Sequence, residues 1–210
     1  MNKELVISAY QRDYNWINYI NPDVKVTIYR KGPNKGPNEE ILIEPNVGQD
    51  VHTFFYHIVK NYNNLADFTL VSQDFPFDHC SYYINVINSN PTVWNELSRQ
   101  HHGGYWAFSD GSALNGANTL KCYQDGLPHH THTQPLGLDE VWNEFFETDN
   151  PAVYEFVPAG HFCVSKEQIL NRSLDFYKKL VILLETRENC PYEIERLEPY
   201  IFNSDIKAKL

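Results

Sequence analysis

The sequence predicts an α/β fold in which a mixed, mainly parallel central sheet is flanked by helices. Up to about residue 75, short β-branched or apolar runs alternate with helical patterns, which is typical of parallel sheets. Beyond that point strands and helices mix less regularly, which indicates an antiparallel addition. We therefore expect a sheet whose first half is parallel.

The composition is that of a single globular domain over residues 1–210. Hydrophobic residues make up 42% of the chain and aromatic residues 14%, an unusually high aromatic content. The formal net charge is -10 without any basic run, which argues against nucleic acid or an anionic membrane as a partner. No signal-peptide pattern and no apolar run of membrane-spanning length occur, so we expect a soluble, cytoplasmic protein, compatible with one domain of a longer polypeptide.

The elements predicted for the first part are strands at 4–10, 24–29, 41–43 and 68–73, a short helical segment at Trp16, and a helix from about 50 to 62. That helix carries apolar residues at helical spacing and places His52, Thr53, Tyr56 and His57 on its polar face. The loop before it repeats a Lys-Gly-Pro-Asn unit.

The elements predicted for the second part are helices at 79–87, 91–97, 138–146 and 174–186, a helix that starts at Ser165, strands at 105–108, 119–123, 153–157 and 161–164, and a last helix at 191–198 that Pro199 interrupts. Ser165 and Gln168 form a capping box. The long loop at 109–135 is typical of a binding or lid element. The four cysteines show no CxxC spacing and are expected to be free, buried thiols.

The most informative stretch is 67–79, an apolar run that ends in Gln73, Asp74, Pro76, Asp78 and His79. Pro76 ends regular strand pairing near Gln73, and ligands of open α/β sheets bind outside the carboxyl ends of the strands. Aspartate and histidine are metal ligands, so Asp74, Asp78 and His79 are candidates to hold a divalent cation. The alternative is that the two aspartates only cap and turn a loop.

The start of the predicted helix near residue 50 offers a second candidate site. It follows Asn46 and Gly48, and its unpaired amides and positive dipole end suit an anion. Ordinary capping by Asn46 and Asp50 is the alternative.

Other catalytic motifs are missing from the sequence. It contains no P-loop, GxGxxG, GxSxG or HExxH pattern. The histidines at 101–102 and 129–132 allow a zinc site or a solvated loop. In the last helix, one of Glu193, Glu195 and Glu198 reaches a pocket, or the three form a solvated face.

Several motifs in order resemble a known family. They are Val6–Tyr10 with Asp13 and Trp16, Ile28–Gly32, Pro45–Gly48 with Asp50, Gln73 with Pro76–His79, Phe162–Ser165, and Glu195–Leu197 ahead of Ile201. This set, spanning residues 4–203, resembles small nucleotide-sugar glycosyltransferases of GT-A type, and in particular the compact glycosyltransferase domain encoded by large algal viruses.

The resemblance implies a GT-A-like fold with a nucleotide-binding half at about 1–100 and an acceptor-binding half at about 101–210. It implies transfer of a hexose or deoxyhexose from a nucleotide-sugar donor, with UDP as the expected nucleotide, to a glycan acceptor. The donor would contact the positions Ala9, Tyr10, Arg12, Asp13, Gly48, Asp50 and Gln73. A manganese or magnesium ion would be held by Asp78 with Asp74 and His79, although the sequence departs from the family in having no Asp-x-Asp.

An inverting transferase also needs a carboxylate base near the acceptor hydroxyl, for which Glu195 and Asp110 are candidates. A retaining transferase uses no such base, and both stereochemistries stay open. Two other functions stay open as well. One is a non-catalytic module that binds carbohydrate or nucleotide sugar, and the other is a metal-dependent hydrolase that uses Asp78, His79 and the histidine loop.

Overall fold

The structure, a computed structural model, describes residues 1–33, 35–38, 40–78, 80–89, 136–156 and 161–209, and the backbone of three short strands between 105 and 129. The strands are β1 (Lys3–Ala9), β2 (Val24–Arg30), β3 (Ile41–Leu42), β4 (Phe68–Gln73), β5 (Tyr105–Ala107), β6 (Cys122–Gln124), β7 (Leu127–His129), β8 (Tyr154–Phe156) and β9 (Cys163–Ser165). The helices are α1 (Gln49–Asn61), α2 (Tyr83–Asn88), α3 (Leu138–Phe145), α4 (Lys166–Leu170), α5 (Leu174–Thr186) and α6 (Cys190–Ile201).

The central sheet has five strands in the order β3-β2-β1-β4-β9. The first four are parallel, and β9 pairs antiparallel with β4. The prediction of a mainly parallel sheet with an antiparallel addition is therefore confirmed. Two small antiparallel pairs, β5 with β8 and β6 with β7, lie outside it, and β7 was not predicted.

Both faces of the sheet are buried, because alternate side chains of its strands enter two different cores. Val6, Val71 and Val164 face the larger core, in which they pack with α1, α3, α5 and α6. Leu5 and Leu70 face the smaller core, formed with the 3-10 turn at Asn15–Tyr19 and with α2. Helices on both faces are what a parallel sheet requires.

Helix α1 is covered by α5 and α6 as well as by the sheet, so its predicted polar face is wrong. His52, Thr53 and His57 are buried in it. The Thr53 and Ser8 hydroxyls lie 2.9 Å apart, and the Nδ1 atom of His57 lies 3.0 Å from the Tyr29 hydroxyl. Helical periodicity alone could not show this, because these polar side chains pair with polar groups of the sheet, such as Ser8 on β1 and Tyr29 on β2.

The helix boundaries agree with the sequence in one case and correct it in another. The capping box of Ser165 and Gln168 is present at the start of α4. In contrast, α6 does not stop at Pro199 but continues to Ile201. Arg172 stabilises this extension, because its guanidinium donates to the carbonyl oxygens of Ile201 (2.8 Å) and Asn203 (2.7 Å) beyond the proline.

Other expectations have mixed outcomes. Cys80, Cys163 and Cys190 are buried free thiols, as predicted. Within the described ranges no helix has the length and apolar character that crossing a bilayer demands. The predicted helix at 91–97, most of the loop at 109–135 and the side chains of the histidine loop lie outside the described residues.

Burial of His57 predicts an acid-labile core. Burial lowers the pKa of His57 to about 4, while the nearby Glu4 carboxylate opposes this shift. The unfolded chain takes up the proton below about 6.5 and the folded chain only near 4, so stability is lost as the pH falls through this window. We expect the unfolding free energy to lose about 3 kcal/mol from this residue between pH 6.5 and 4.

Urea denaturation at several pH values would measure this loss. His57→Gln should flatten the pH dependence in that window, whereas Tyr29→Phe, which removes only the neighbouring hydroxyl, should keep it. Equal pH slopes in the native protein and His57→Gln would contradict the prediction.

Candidate functional site

The strand order places a topological switch between β1 and β4. From β1 the chain moves to β2 and β3 on one side, then crosses through α1 to β4 on the other side of β1. The loops that follow β1 and β4 therefore separate at the carboxyl edge, where open α/β sheets bind their ligands. The predicted donor residues at 9–13 and the predicted metal ligands at 74–78 lie in these two loops.

Asp74 joins the two loops. Its Oδ2 atom accepts hydrogen bonds from the backbone amides of Tyr10 (2.9 Å), Gln11 (3.0 Å) and Arg12 (2.9 Å). The Trp16 indole donates to the Asp74 carbonyl oxygen at 2.7 Å. Asp74 is only 9% exposed. Its carboxylate therefore acts as an anchor for the β1 loop, with one oxygen fully engaged.

Arg12 links the same loops on the solvent side. Its guanidinium lies 5.2 Å from the centre of the Phe75 ring and forms an ion pair with Asp78. The Arg12 and Asp78 side chains are 56% and 51% exposed. The neighbouring Asp13 carboxylate accepts from the Asn15 backbone amide at 2.8 Å and so begins the 3-10 turn.

The Lys-Gly-Pro-Asn loop packs against the β1 loop through Glu40. The Oε1 atom of Glu40 accepts from the Tyr14 hydroxyl and from the Gly36 amide (2.9 Å), and Arg30 pairs with its other oxygen at 3.2 Å. Side chains do not fit at the two glycines. A Cβ on Gly32 would lie 1.6 Å from the Tyr10 carbonyl oxygen, and one on Gly36 would lie 1.8 Å from the Tyr14 hydroxyl.

The two loops enclose an open cleft of about 220 Å³. We call it the switch-point cleft, and its walls are Ala9–Tyr14 and Lys35–Pro37. This volume is below the roughly 300–1,000 Å³ of most small-molecule pockets, so the cleft encloses only part of such a ligand. A broader groove of about 680 Å³, lined by Arg30–Pro33 and Glu44–Asn46, lies at the same edge of the sheet.

The start of α1 is held by a buried lysine. Gly48 adopts a left-handed conformation (φ 65°) before the helix, and Gln49 follows at φ 51°. The Lys31 ammonium donates to the carbonyl oxygens of Val47 and Gln49, the latter at 2.5 Å, and lies 3.5 Å from His52 Nδ1. Burial lowers the pKa of Lys31 to about 8. Lys31 thus stabilises an unusual turn, and no sequence signal marked it.

A second polar group connects α1, β4 and α6. Gln73 donates from its side-chain amide to the Asp50 carboxylate at 2.8 Å, and its backbone amide lies 3.5 Å from Nε2 of the buried His161. Glu198 is 2% exposed, and its Oε1 atom has no hydrogen-bond partner among the residues that the structure describes. Burial raises the pKa of Glu198 well above its usual value, and the charges of Glu195 and Asp50 add to this effect.

The three glutamates of α6 have different environments. Glu193 is held by Arg187, whose Nε lies 2.7 Å from Oε2, and accepts from the Gly137 amide at 2.8 Å. Glu195 lies 3.5 Å from Arg196 Nη1 and its side chain is 15% exposed. Glu198 is therefore the one in the apolar stripe. Glu198 follows Ile194 by four residues and precedes Ile201 by three. This helical spacing was the signal in the sequence that Glu198 lies on the apolar face of the helix.

The predicted site residues thus form two groups at one edge of the sheet. The first comprises Ala9, Tyr10, Arg12 and Asp13, which line the switch-point cleft, together with Asp74 and Asp78, which bind this segment from the loop after β4. The second, which we call the acid group, comprises Asp50, Gln73, Glu195 and the additional Glu198. Gly48 belongs to the turn before α1. His79 and Asp110 lie outside the described residues.

The described carboxylates form no ready-made cation site. Three amides bind Oδ2 of Asp74, and Arg12 binds Oδ2 of Asp78. In the part of the chain that the structure describes, no three His, Cys, Asp or Glu side chains come together as metal ligands. We therefore derive no step through a metal, and the manganese or magnesium ion stays a prediction.

The fold and site define an α/β protein with a cleft at the carboxyl edge of its parallel sheet. Residues 5–203 match a family model described as "Protein of unknown function (DUF3431)", and the chain belongs to this family. No curated protein matches the chain, and no solved structure does.

The anchor formed by Asp74 should be essential for stability. Asp74→Ala leaves three amide donors unpaired, and we expect a loss of about 3 kcal/mol in unfolding free energy. Asp67→Ala is the matched control, because Asp67 sits just before β4 and its half-exposed carboxylate accepts from the single Asn2 amide. That variant should lose less than about 1 kcal/mol. Chemical denaturation would compare them, and similar losses would contradict the role of Asp74.

Proposed function

We propose that the chain is a glycosyltransferase that moves a hexose or deoxyhexose from a nucleoside-diphosphate sugar, with UDP expected, to a glycan hydroxyl. The switch-point cleft carries this proposal. It lies where α/β sheets bind nucleotides, and its walls contain the half-exposed ring of Tyr10 and the cations Arg12 and Lys35. An aromatic ring and two cations suit a base and a diphosphate.

The charge of the protein supports an anionic ligand at this place. With a net charge of -10, the protein repels anions overall, so a diphosphate needs local positive charge. When the glycosidic bond breaks, the leaving nucleoside diphosphate gains negative charge. Cationic groups held in place before the reaction stabilise that charge in the transition state.

The acid group would serve the acceptor. Glu195, whose side chain is 15% exposed, would take the proton from the attacking hydroxyl. Burial raises the pKa of Glu198, which disfavours the ionised form that a general base needs. Asp110 is retained as the other candidate base.

A non-catalytic nucleotide-sugar-binding module is the second candidate. It is favoured by the hydrogen bonds and ion pair near the cleft, because the carboxylates of Asp74 and Asp78 both bind groups of the protein itself. The metal-dependent hydrolase depends on histidines outside the described residues and gains no support from the described ones.

Release of nucleoside diphosphate from UDP-sugars, with and without glycan acceptors, would test the proposal. We expect turnover that an acceptor stimulates. Glu195→Gln should lower the turnover rate about 100-fold or more while leaving donor affinity unchanged, because a general base contributes at least this factor.

Glu188→Gln, an exposed residue between α5 and α6, is the matched control and should keep full activity. Full activity in Glu195→Gln would remove Glu195 as the base. Tight binding of UDP-sugars with no release of diphosphate under any condition would instead favour the binding module.

A further inference from the structure

The charge balance at the switch-point cleft raises the question of what neutralises a bound diphosphate. Two cationic residues, Arg12 and Lys35, belong to opposite walls of the cleft. The carboxylates nearby are already engaged, Asp13 with the backbone and side-chain amides of Asn15, Asp74 with backbone amides and Asp78 with Arg12. The cleft therefore presents cations to a ligand more readily than it presents free carboxylates to a metal.

Arg12 is held in a position suited to phosphate. Its own backbone amide is bound by Asp74, and its guanidinium lies against the Phe75 ring. Apart from the bond to Asp78, the guanidinium donates to no residue that the structure describes. A planar fork with free N–H groups recognises phosphate oxygens in pairs.

Lys35 belongs to a wall of the switch-point cleft that hydrogen bonds hold in place. The amide of the next residue, Gly36, is bound by Glu40, which also holds Tyr14 and Arg30. The Lys35 side chain is exposed and forms no ion pair with any described residue. Its charge is thus available to a ligand in the cleft, in contrast to that of the buried Lys31.

Asp78 is both the ion-pair partner of Arg12 and the predicted metal ligand. A divalent cation and the Arg12 guanidinium would compete for the Asp78 carboxylate, whose Oδ2 atom Arg12 already contacts. We propose that Arg12 and Lys35, and not a cation held by the protein, neutralise the diphosphate of the ligand, and that Asp78 holds Arg12 in place when the cleft is empty. This inference rests on the proposed function only in taking the ligand to be a nucleoside diphosphate.

Neutralisation by Arg12 and neutralisation by a metal ion predict opposite changes in diphosphate affinity for one substitution, Asp78→Asn. If Arg12 binds the diphosphate, Asp78→Asn frees the guanidinium from a competitor, and affinity stays equal or rises a few-fold. If Asp78 ligates a cation that holds the diphosphate, the same variant abolishes binding. The asparagine side chain has nearly the same size as that of aspartate, so loss of packing does not confuse the result.

Titration calorimetry of UDP, GDP, ADP and CDP, each in a buffer with EDTA and in a buffer with manganese, would decide between these two predictions. We expect one diphosphate to bind equally in both buffers, Arg12→Gln and Lys35→Gln to weaken it about tenfold each, and Asp78→Asn not to weaken it. Lys178→Gln, on the exposed face of α5, is the control and should bind normally. Melting temperatures would confirm that each variant is folded.

Binding that requires manganese and disappears in Asp78→Asn would overturn the inference. If UDP-sugar turnover then also requires manganese, the proposed function stands although this inference fails. If no diphosphate binds in either buffer, both the inference and the proposed function fail.

Discussion

The carboxylate of Asp74 is the contact on which the candidate site depends. Three consecutive amides of the β1 loop converge on a single oxygen of a residue that follows β4. Parallel neighbours in a sheet diverge at a switch point, and nothing in the sheet itself holds their loops together there. Asp74 supplies that link, and the cleft, the position of Arg12 and the packing of Trp16 follow from it.

The parallel part of the sheet could be predicted because its strands carry their own signals: β-branched runs, turn residues between them and a proline after β4. The buried polar side of α1 could not, since His52 and His57 look polar in isolation and their partners, such as Glu185 and Tyr29, are set by the tertiary fold. The continuation of α6 past Pro199 depends on Arg172, another distant residue. Local pattern thus predicts elements, whereas their environment comes from tertiary contacts.

The candidate site shows the same division. The rule that ligands bind at the carboxyl ends of strands selected Asp74 and Asp78, the family resemblance selected Tyr10–Asp13, and hydrogen bonds join the two segments. Residue type does not reveal which way a carboxylate turns, so the sequence could not separate an anchor such as Asp74 from a potential ligand. Glu198 was detectable in principle, because a charged residue inside an apolar helical stripe is either neutral or paired.

The repeated Lys-Gly-Pro-Asn unit has two different surroundings. Lys31 is buried against the start of α1, whereas Lys35 is exposed at the cleft, and Gly32 and Gly36 approach different residues of the β1 loop. The two units are therefore not interchangeable, although their letters are identical. When related chains are aligned, a four-residue gap in this loop can be moved from one unit to the other without changing any matched residue. Only the contacts of the remaining lysine identify which unit was lost.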